Sequence, residues 1–237
     1  MLTQGTLLDG RVLYAQPAAG YRSGIEPVLL AAAVPAQPGQ RVLEAGTGAG
    51  AGLLCLLARV PDLVAIGLEI DPATAALARD NARRNGTVPE IHTADVTNPP
   101  PIPHVHHVFA NPPWHDPTGT PPLDLARTLA RHLPKTGLCA WVAPLAALLL
   151  PRGTLTLALP AASVPEAMAA LQQAGLGRIA LCPLWPRTGV QAKLILLQAR
   201  AERGPGRILP GLVLHETGGA YTEAVQAILR HGGPLVL

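Results

Sequence analysis

Residues 41–50 read RVLEAGTGAG, and this stretch decides the fold. Val42 and Leu43 form a short apolar run that ends in Glu44 and a cluster of glycines. AGLLCLLARV follows with helical character, then LVAIGLEID as a second buried strand ending near Glu69. PATAALARDNARRNG is a second helix, opened by Pro72 near its first turn and closed at Gly86. Further along, EIHTAD ends a third strand near Asp95 and HVHHVFA ends a fourth just before Asn111. Helices are expected around Leu125–His132 and Leu138–Leu149, then a strand at GTLTLALP and a helix at Val164–Ala174. GRIALCPL and AKLILLQA are separated by too few residues for a helical crossover, so they pair antiparallel. The tail from Leu209 holds one short apolar run and a helix over Thr222–Arg230. Strands alternating with helices predict an α/β fold: a doubly wound, mostly parallel, seven-stranded sheet closed by an antiparallel hairpin.

Composition narrows the class. The chain has 237 residues, 49% of them hydrophobic, which suits one domain with a large core. A formal charge of +3 permits a nucleic-acid partner without requiring one. Three cysteines far apart in sequence argue against a disulfide framework or a zinc site and suit a reducing, cytoplasmic setting. The N-terminus lacks the pattern of a secretory signal. The most apolar stretch, Leu138–Leu150, is too short to span a bilayer and contains Pro144.

Gly46, Gly48, Gly50 and Gly52 alternate past the first strand, where glycine permits a tight turn and close approach to a ligand. Glu69 ends strand two at the spacing of a ribose-hydroxyl acceptor. Gly46-x-Gly48-x-x-Ala51 also fits a dinucleotide fingerprint, with pyrophosphate on the helix N-terminus. A carboxylate at Glu44 repels a diphosphate and suits a cation such as S-adenosylmethionine, so the motif leans to a methyl donor but leaves both ligands open.

FANPPWHD, residues 109–116, tips the reading toward chemistry. Asn111 falls at the carboxyl end of the fourth strand, where ligands bind in open α/β sheets. The exocyclic nitrogen of adenine is a poor nucleophile because its lone pair is delocalised. The Asn111 side-chain oxygen and the Pro112 carbonyl can accept its two hydrogens and stabilise developing positive charge. Pro113 biases Pro112 to an extended backbone, and Trp114 offers a flat face for a base. The plain alternative is a proline-rich turn with a half-buried tryptophan. His104, His106 and His107 lack the companions of a metal site and read as surface or half-buried side chains. Arg200, Arg203 and Arg207 could meet phosphates or simply be a charged loop.

With these motifs in hand, the chain resembles the bacterial tRNA (adenine-N6)-methyltransferases that modify an anticodon-loop adenine of a valine tRNA, within class I of the S-adenosylmethionine-dependent methyltransferases. The likeness runs through LLDGRVLYAQPAAGYRSGIEPVLLAAAVP, VLEAGTGAGAGLLCLLARVP, GLEIDPATAALARDNARRNG and VFANPPW, and returns at KLILLQARAERGPGRILPGLVLHETGGAYTEAVQAILRHG. The resemblance implies a lid or substrate segment over 1–35, a donor-binding core over 36–200 and an extension over 201–237. It implies that Glu44, Ala45, Gly46 and Gly48 contact the methionine part of S-adenosylmethionine. Glu69 and Ile70 would take the ribose, Asp95 and Val96 the adenine. Tyr21, Arg22, Ser23, Gly24 and Glu26 would close over the donor, Asn111 would also touch it, and Asn111, Pro112, Pro113 and Trp114 would carry the chemistry. The partner implied is the anticodon stem-loop of a tRNA, with no metal and no membrane. The chain departs from the family pattern at Ile25-Glu26, where Thr-Asp is usual, at His106 and His107, where an acid is usual, and at Trp114, where Tyr or Phe is usual. Competing readings are methylation of a glutamine amide in a release factor, a donor- or RNA-binding protein without catalysis, and a nicotinamide-dependent oxidoreductase.

Overall fold

A computed structural model describes residues 1–18, 23–113 and 137–237. The helix expected over Leu125–His132 lies outside them. The first strand signal read from sequence, residues Arg41–Ala45, is the third strand of the structure, because an N-terminal hairpin precedes it. That hairpin is β1 (Leu2–Leu7) paired antiparallel with β2 (Val12–Pro17). Its turn places Leu8, Asp9 and Gly10 at positive φ.

Helix α1 (Glu26–Ala33) follows, with Pro27 in its first turn and every residue from Pro27 to Ala33 buried. Thus the part of the expected lid segment beyond Glu26 is core. Next come β3 (Arg41–Ala45), α2 (Ala51–Arg59), β4 (Val64–Glu69), α3 (Pro72–Arg84), β5 (Glu90–Thr93) and β6 (Val105–Ala110). The chain continues through α4 (Cys139–Ala147), β7 (Leu149–Pro160), α5 (Val164–Gln173), β8 (Gly177–Trp185) and β9 (Leu194–Arg200). Two two-residue strands, β10 (Arg207–Ile208) and β11 (Leu212–Val213), precede the final helix α6 (Glu223–His231).

Among the described residues the main sheet has nine strands rather than seven, because β10 and β11 each pair parallel to β8. The seven expected strands run in the order β8-β9-β7-β6-β3-β4-β5. Among these described strands only β9 is antiparallel to its neighbours, as the short β8–β9 connection requires. Period-two alternation divides the core between two faces. Val42 and Phe109 pack with α1, α2, α3 and α6, whereas Leu43, Val108 and Ala110 pack with α4 and α5. β7 begins earlier than GTLTLALP suggests, with Arg152 at positive φ and a register shift against β6 between Val105 and His107. No helix among the described residues is long and apolar enough to cross a membrane.

The histidines of β6 are tied into this framework. His106 Nδ1 accepts the Arg41 backbone N–H at 3.1 Å. His107 is buried between Thr154 Oγ1 at 2.8 Å and Gln40 Oε1 at 2.9 Å. Burial first, then the charges of His106, Arg200 and Arg59, push the His107 pKa down to about 4. A depressed folded pKa means the neutral ring contributes its full stability above the unfolded value near 6.5 and loses it as pH falls through 4. Stability should therefore drop by about 2–3 kcal/mol over that window, and the drop should flatten in His107→Asn. Urea titrations of both proteins from pH 7 to pH 4 check this, and parallel curves would refute it.

Candidate active site

Strand order reverses between β3 and β6, which lie side by side in parallel register. Ala45 pairs with Ala110, so the chain leaves both strands at the same level. Gly46 and Asn111 are therefore the first residues beyond the sheet on adjacent strands, at the switch point where such sheets bind ligands. Asn111 and Pro113 are half-buried and Pro112 is buried. Trp114 lies outside the described residues.

The β3–α2 loop is shaped by the sheet beneath it. Gly46 has φ +70°, and a Cβ there would stand 3.1 Å from the ring of Trp141 on α4. Trp141 is 8% exposed and packs with Ala45, so it props the switch point from below. Thr47 N–H donates to the Leu68 carbonyl at 2.8 Å, and Gly48 N–H to Glu69 Oε2 at 2.9 Å.

Glu44 sits differently from the expectation of direct donor contact. It is 5% exposed, and its Oε2 accepts Thr47 Oγ1–H at 2.5 Å and Leu53 N–H at 2.9 Å. Leu53 is in the first turn of α2, whose N-cap Gly50 offers no side chain, so Glu44 satisfies one of the orphan donors there. A Cβ on Gly52 would come within 2.2 Å of Glu44 Oε1, which explains the fourth glycine. Burial raises the Glu44 pKa to about 8 against the two hydrogen bonds that lower it, with Glu69 adding a smaller upward push. Glu44 is therefore tied into the loop from beneath, and its raised pKa leaves the carboxyl little charge at neutral pH.

Glu69 bridges the loop to α3. Besides Gly48, it accepts Asp71 N–H on Oε1 at 2.9 Å. Asp71 then caps α3 by accepting Thr74 N–H at 2.8 Å. Ala94 N–H donates to the Glu69 carbonyl at 2.9 Å and brings Asp95 alongside. Asp95 is exposed, with Oδ1 accepting from Thr97 N–H and Oγ1–H, each at 2.8 Å. Ile70 keeps 37% exposure next to Glu69, and Val96 is buried.

Ahead of α1, Ser23 N–H donates to Gln16 Oε1 at 3.0 Å, and Ser23 Oγ lies 3.0 Å from the Tyr14 hydroxyl. The Glu26 carboxylate folds back over Gly24. Tyr21 and Arg22 lie outside the described residues. The arginine cluster is elsewhere. Arg200 pairs with Gly177 at the start of β8, the edge of the sheet opposite Asn111. Arg207 donates to the Leu237 carbonyl at 2.7 Å. Among the described residues no group of three or more His, Cys, Asp or Glu side chains could hold a metal ion.

These residues fit S-adenosylmethionine. Gly46 leaves bare backbone at the switch point. Each Glu69 oxygen retains acceptor capacity for a ribose hydroxyl after its one backbone bond. Ile70 supplies exposed apolar surface beside it. When bound, the group supplies an electrophilic methyl on a sulfonium.

The fold and this loop set define a class I, S-adenosylmethionine-dependent methyltransferase. A family model described as methyltransferase small domain matches residues 26–143. The chain is 30% identical over 209 residues to the tRNA1(Val) (adenine(37)-N6)-methyltransferase of Aeromonas hydrophila, covering 84% of this chain and 85% of that one. It belongs to that family. A release factor glutamine methyltransferase of Deinococcus radiodurans is 33% identical over 153 residues, covering 57% of this chain and 51% of that one. Among solved structures, a protein of Agrobacterium tumefaciens described as a predicted O-methyltransferase superposes with a TM-score of 0.72 at 27% identity, covering 89% of this chain and 98% of that one. A 16S rRNA N2 methyltransferase of T. thermophilus, solved with AdoMet and guanosine, shares the fold at a TM-score of 0.56 and 21% identity, over 86% of this chain and 50% of that one.

Replacing Glu69 by alanine should weaken S-adenosylmethionine binding about 10- to 100-fold, through a lost charged acceptor and a released Gly48 amide. Calorimetric titration reads this directly. An unchanged Kd would remove Glu69 from the donor site.

Sequence reasoning missed Trp141 and Asn81. Trp141 stood in an all-apolar helix without a period to mark its face. Asn81 is a buried amide within the helix read at PATAALARDNARRNG, and its low helix propensity was the available signal.

Proposed function

We propose that this methyltransferase acts on the exocyclic N6 amine of an unpaired adenine in tRNA. The observation that carries the reading is the register of β3 with β6, which sets Asn111-Pro112 beside the donor loop. Asn111 Oδ1 and the Pro112 carbonyl accept the two hydrogens of the planar amine and draw it toward tetrahedral geometry. Positive charge develops on that nitrogen during transfer, so both acceptors bind the transition state more tightly than the ground state. The methylated amine is acidic enough to release its proton to solvent. Trp114, proposed from sequence alone, stacks on the base. An anticodon-loop base is already unpaired and is extruded at low cost. The name of the Aeromonas hydrophila relative, with coverage of most of both chains, supports this substrate. The chain's setting on this reading is the cytoplasm.

Methylation of a release-factor glutamine is the second reading, supported by the Deinococcus relative. A carboxamide presents the same planar NH2 to the same pair of acceptors. Labelled S-adenosylmethionine incubated with unmodified tRNA, with release factor, or with neither separates them. N6-methyladenosine in tRNA is the expected product. Label confined to protein would transfer the assignment to the amide.

A further inference from the structure

Asn81 lies within α3 with 0% of its surface exposed, and its carboxamide makes three backbone hydrogen bonds. Oδ1 accepts Ala15 N–H at 3.0 Å. Nδ2 donates to the Ala15 carbonyl at 2.8 Å and to the Ala49 carbonyl at 2.9 Å. One turn later Asn85 treats Leu13 the same way, accepting its N–H at 2.8 Å and donating to its carbonyl at 2.7 Å. Four helical residues advance about 6 Å and two strand residues about 6.6 Å, so the two spacings match. The two amides stand in for a partner strand along β2.

The pair differs in one respect. The second Asn85 hydrogen goes to Asn81's own carbonyl at 2.7 Å, whereas that of Asn81 reaches into the glycine loop at Ala49. Tyr14, between the two stitched residues of β2, packs on Ala49 and Ala51, on that loop and at the start of α2. Both amide hydrogens of Asn81 are therefore engaged, one on the hairpin and one on the loop that the donor uses.

We propose that Asn81 is a positioning residue for the methyl donor, joining the N-terminal hairpin to the Gly46–Gly50 loop through Ala15 and Ala49. It never meets the donor. It fixes the Ala49 carbonyl and seats Tyr14 on the loop, so hairpin docking and donor binding stabilise each other. The inference rests on donor binding and is independent of the acceptor substrate.

Asn85 supplies the control, since it anchors the hairpin without touching the loop. Asn81→Ala should weaken S-adenosylmethionine binding at least tenfold in calorimetric titration, while Asn85→Ala stays within threefold of wild type. Equal donor affinity in the two variants, whether both reduced or both unchanged, overturns the proposal. Because Asn81 is buried, a second measurement uses the wild-type chain. Saturating S-adenosylmethionine should slow amide exchange at Ala15 at least tenfold, alongside residues 46–50. Protection confined to the loop, with Ala15 unchanged, overturns it equally, including where Asn81→Ala does not fold.

Discussion

Alanine at position 111 should lower the methyl-transfer rate by about 10²–10³ while leaving the Kd for S-adenosylmethionine within a few-fold of wild type. The split follows from where Asn111 stands. It leaves β6 one residue beyond Ala110, whose partner on β3 is Ala45. On the proposed reading the donor is held chiefly by Gly46, Gly48 and Glu69, and the bonds that Glu69 accepts come from Gly48 N–H and Asp71 N–H. In the proposed mechanism the carboxamide oxygen contributes an acceptor for an amine hydrogen that grows more acidic as the methyl arrives. Losing one such preorganised group in a dry site is worth about 3–4 kcal/mol of transition-state stabilisation. The Pro112 carbonyl remains in the variant, so the rate should fall without vanishing. Single-turnover kinetics with saturating donor give the number. A near-normal rate would dismiss the two-acceptor mechanism for tRNA and glutamine substrates alike, and a lost donor affinity would reassign Asn111 to the cofactor.

What could be read from the sequence was whatever a local rule governs. β3, its glycines, Glu69 and Pro72 lie within 32 residues, and each marks a turn, a strand end or a helix start that a short-range rule can detect. The antiparallel β9 followed from a connection too short for a crossover. The N-terminal hairpin escaped because β1 is exposed at most positions and carries little apolar alternation. Its trace was Asp9-Gly10 between two short β-prone runs, a turn signal that weak strands made easy to pass over. β10 and β11 have two residues each and exist only because β8 offers an edge. At the site, residue type was legible and orientation was not. Glu44 stood at the expected position, but only packing shows its carboxylate turned under Gly52 and engaged by Leu53. Ser23 belongs to a network with Tyr14 and Gln16 that spans an unremarkable stretch of chain.

Glu44→Gln should remove a pH dependence that the wild-type chain carries above pH 5. Desolvation dominates the environment of Glu44 and lifts its pKa to about 8, although Thr47 and Leu53 both donate to it. A folded pKa above the unfolded 4.5 means the folded chain holds a proton that the unfolded chain has released. Stability from this group is therefore complete below pH 4.5 and declines until the folded carboxyl ionises near pH 8. The slope approaches about 1.4 kcal/mol per pH unit, and relaxation of the loop reduces the total to about 2–4 kcal/mol between pH 5 and pH 8. Glutamine keeps the acceptor, since both observed bonds fall on one oxygen, Oε2, which the amide oxygen can replace. It has no proton to lose, so its curve should lie flat where the wild type falls. The difference between the two proteins also cancels the His107 effect, which acts in the opposite direction below pH 6.5. Urea titrations at unit pH steps measure it. Alanine at the same position should run parallel to glutamine and about 2–3 kcal/mol below it at every pH, because it strands the Leu53 amide and the Thr47 hydroxyl inside the loop. If glutamine and wild type ran parallel from pH 5 to pH 8, Glu44 would be ionised in the folded chain, and its charge would again be available to select a cationic donor over a diphosphate.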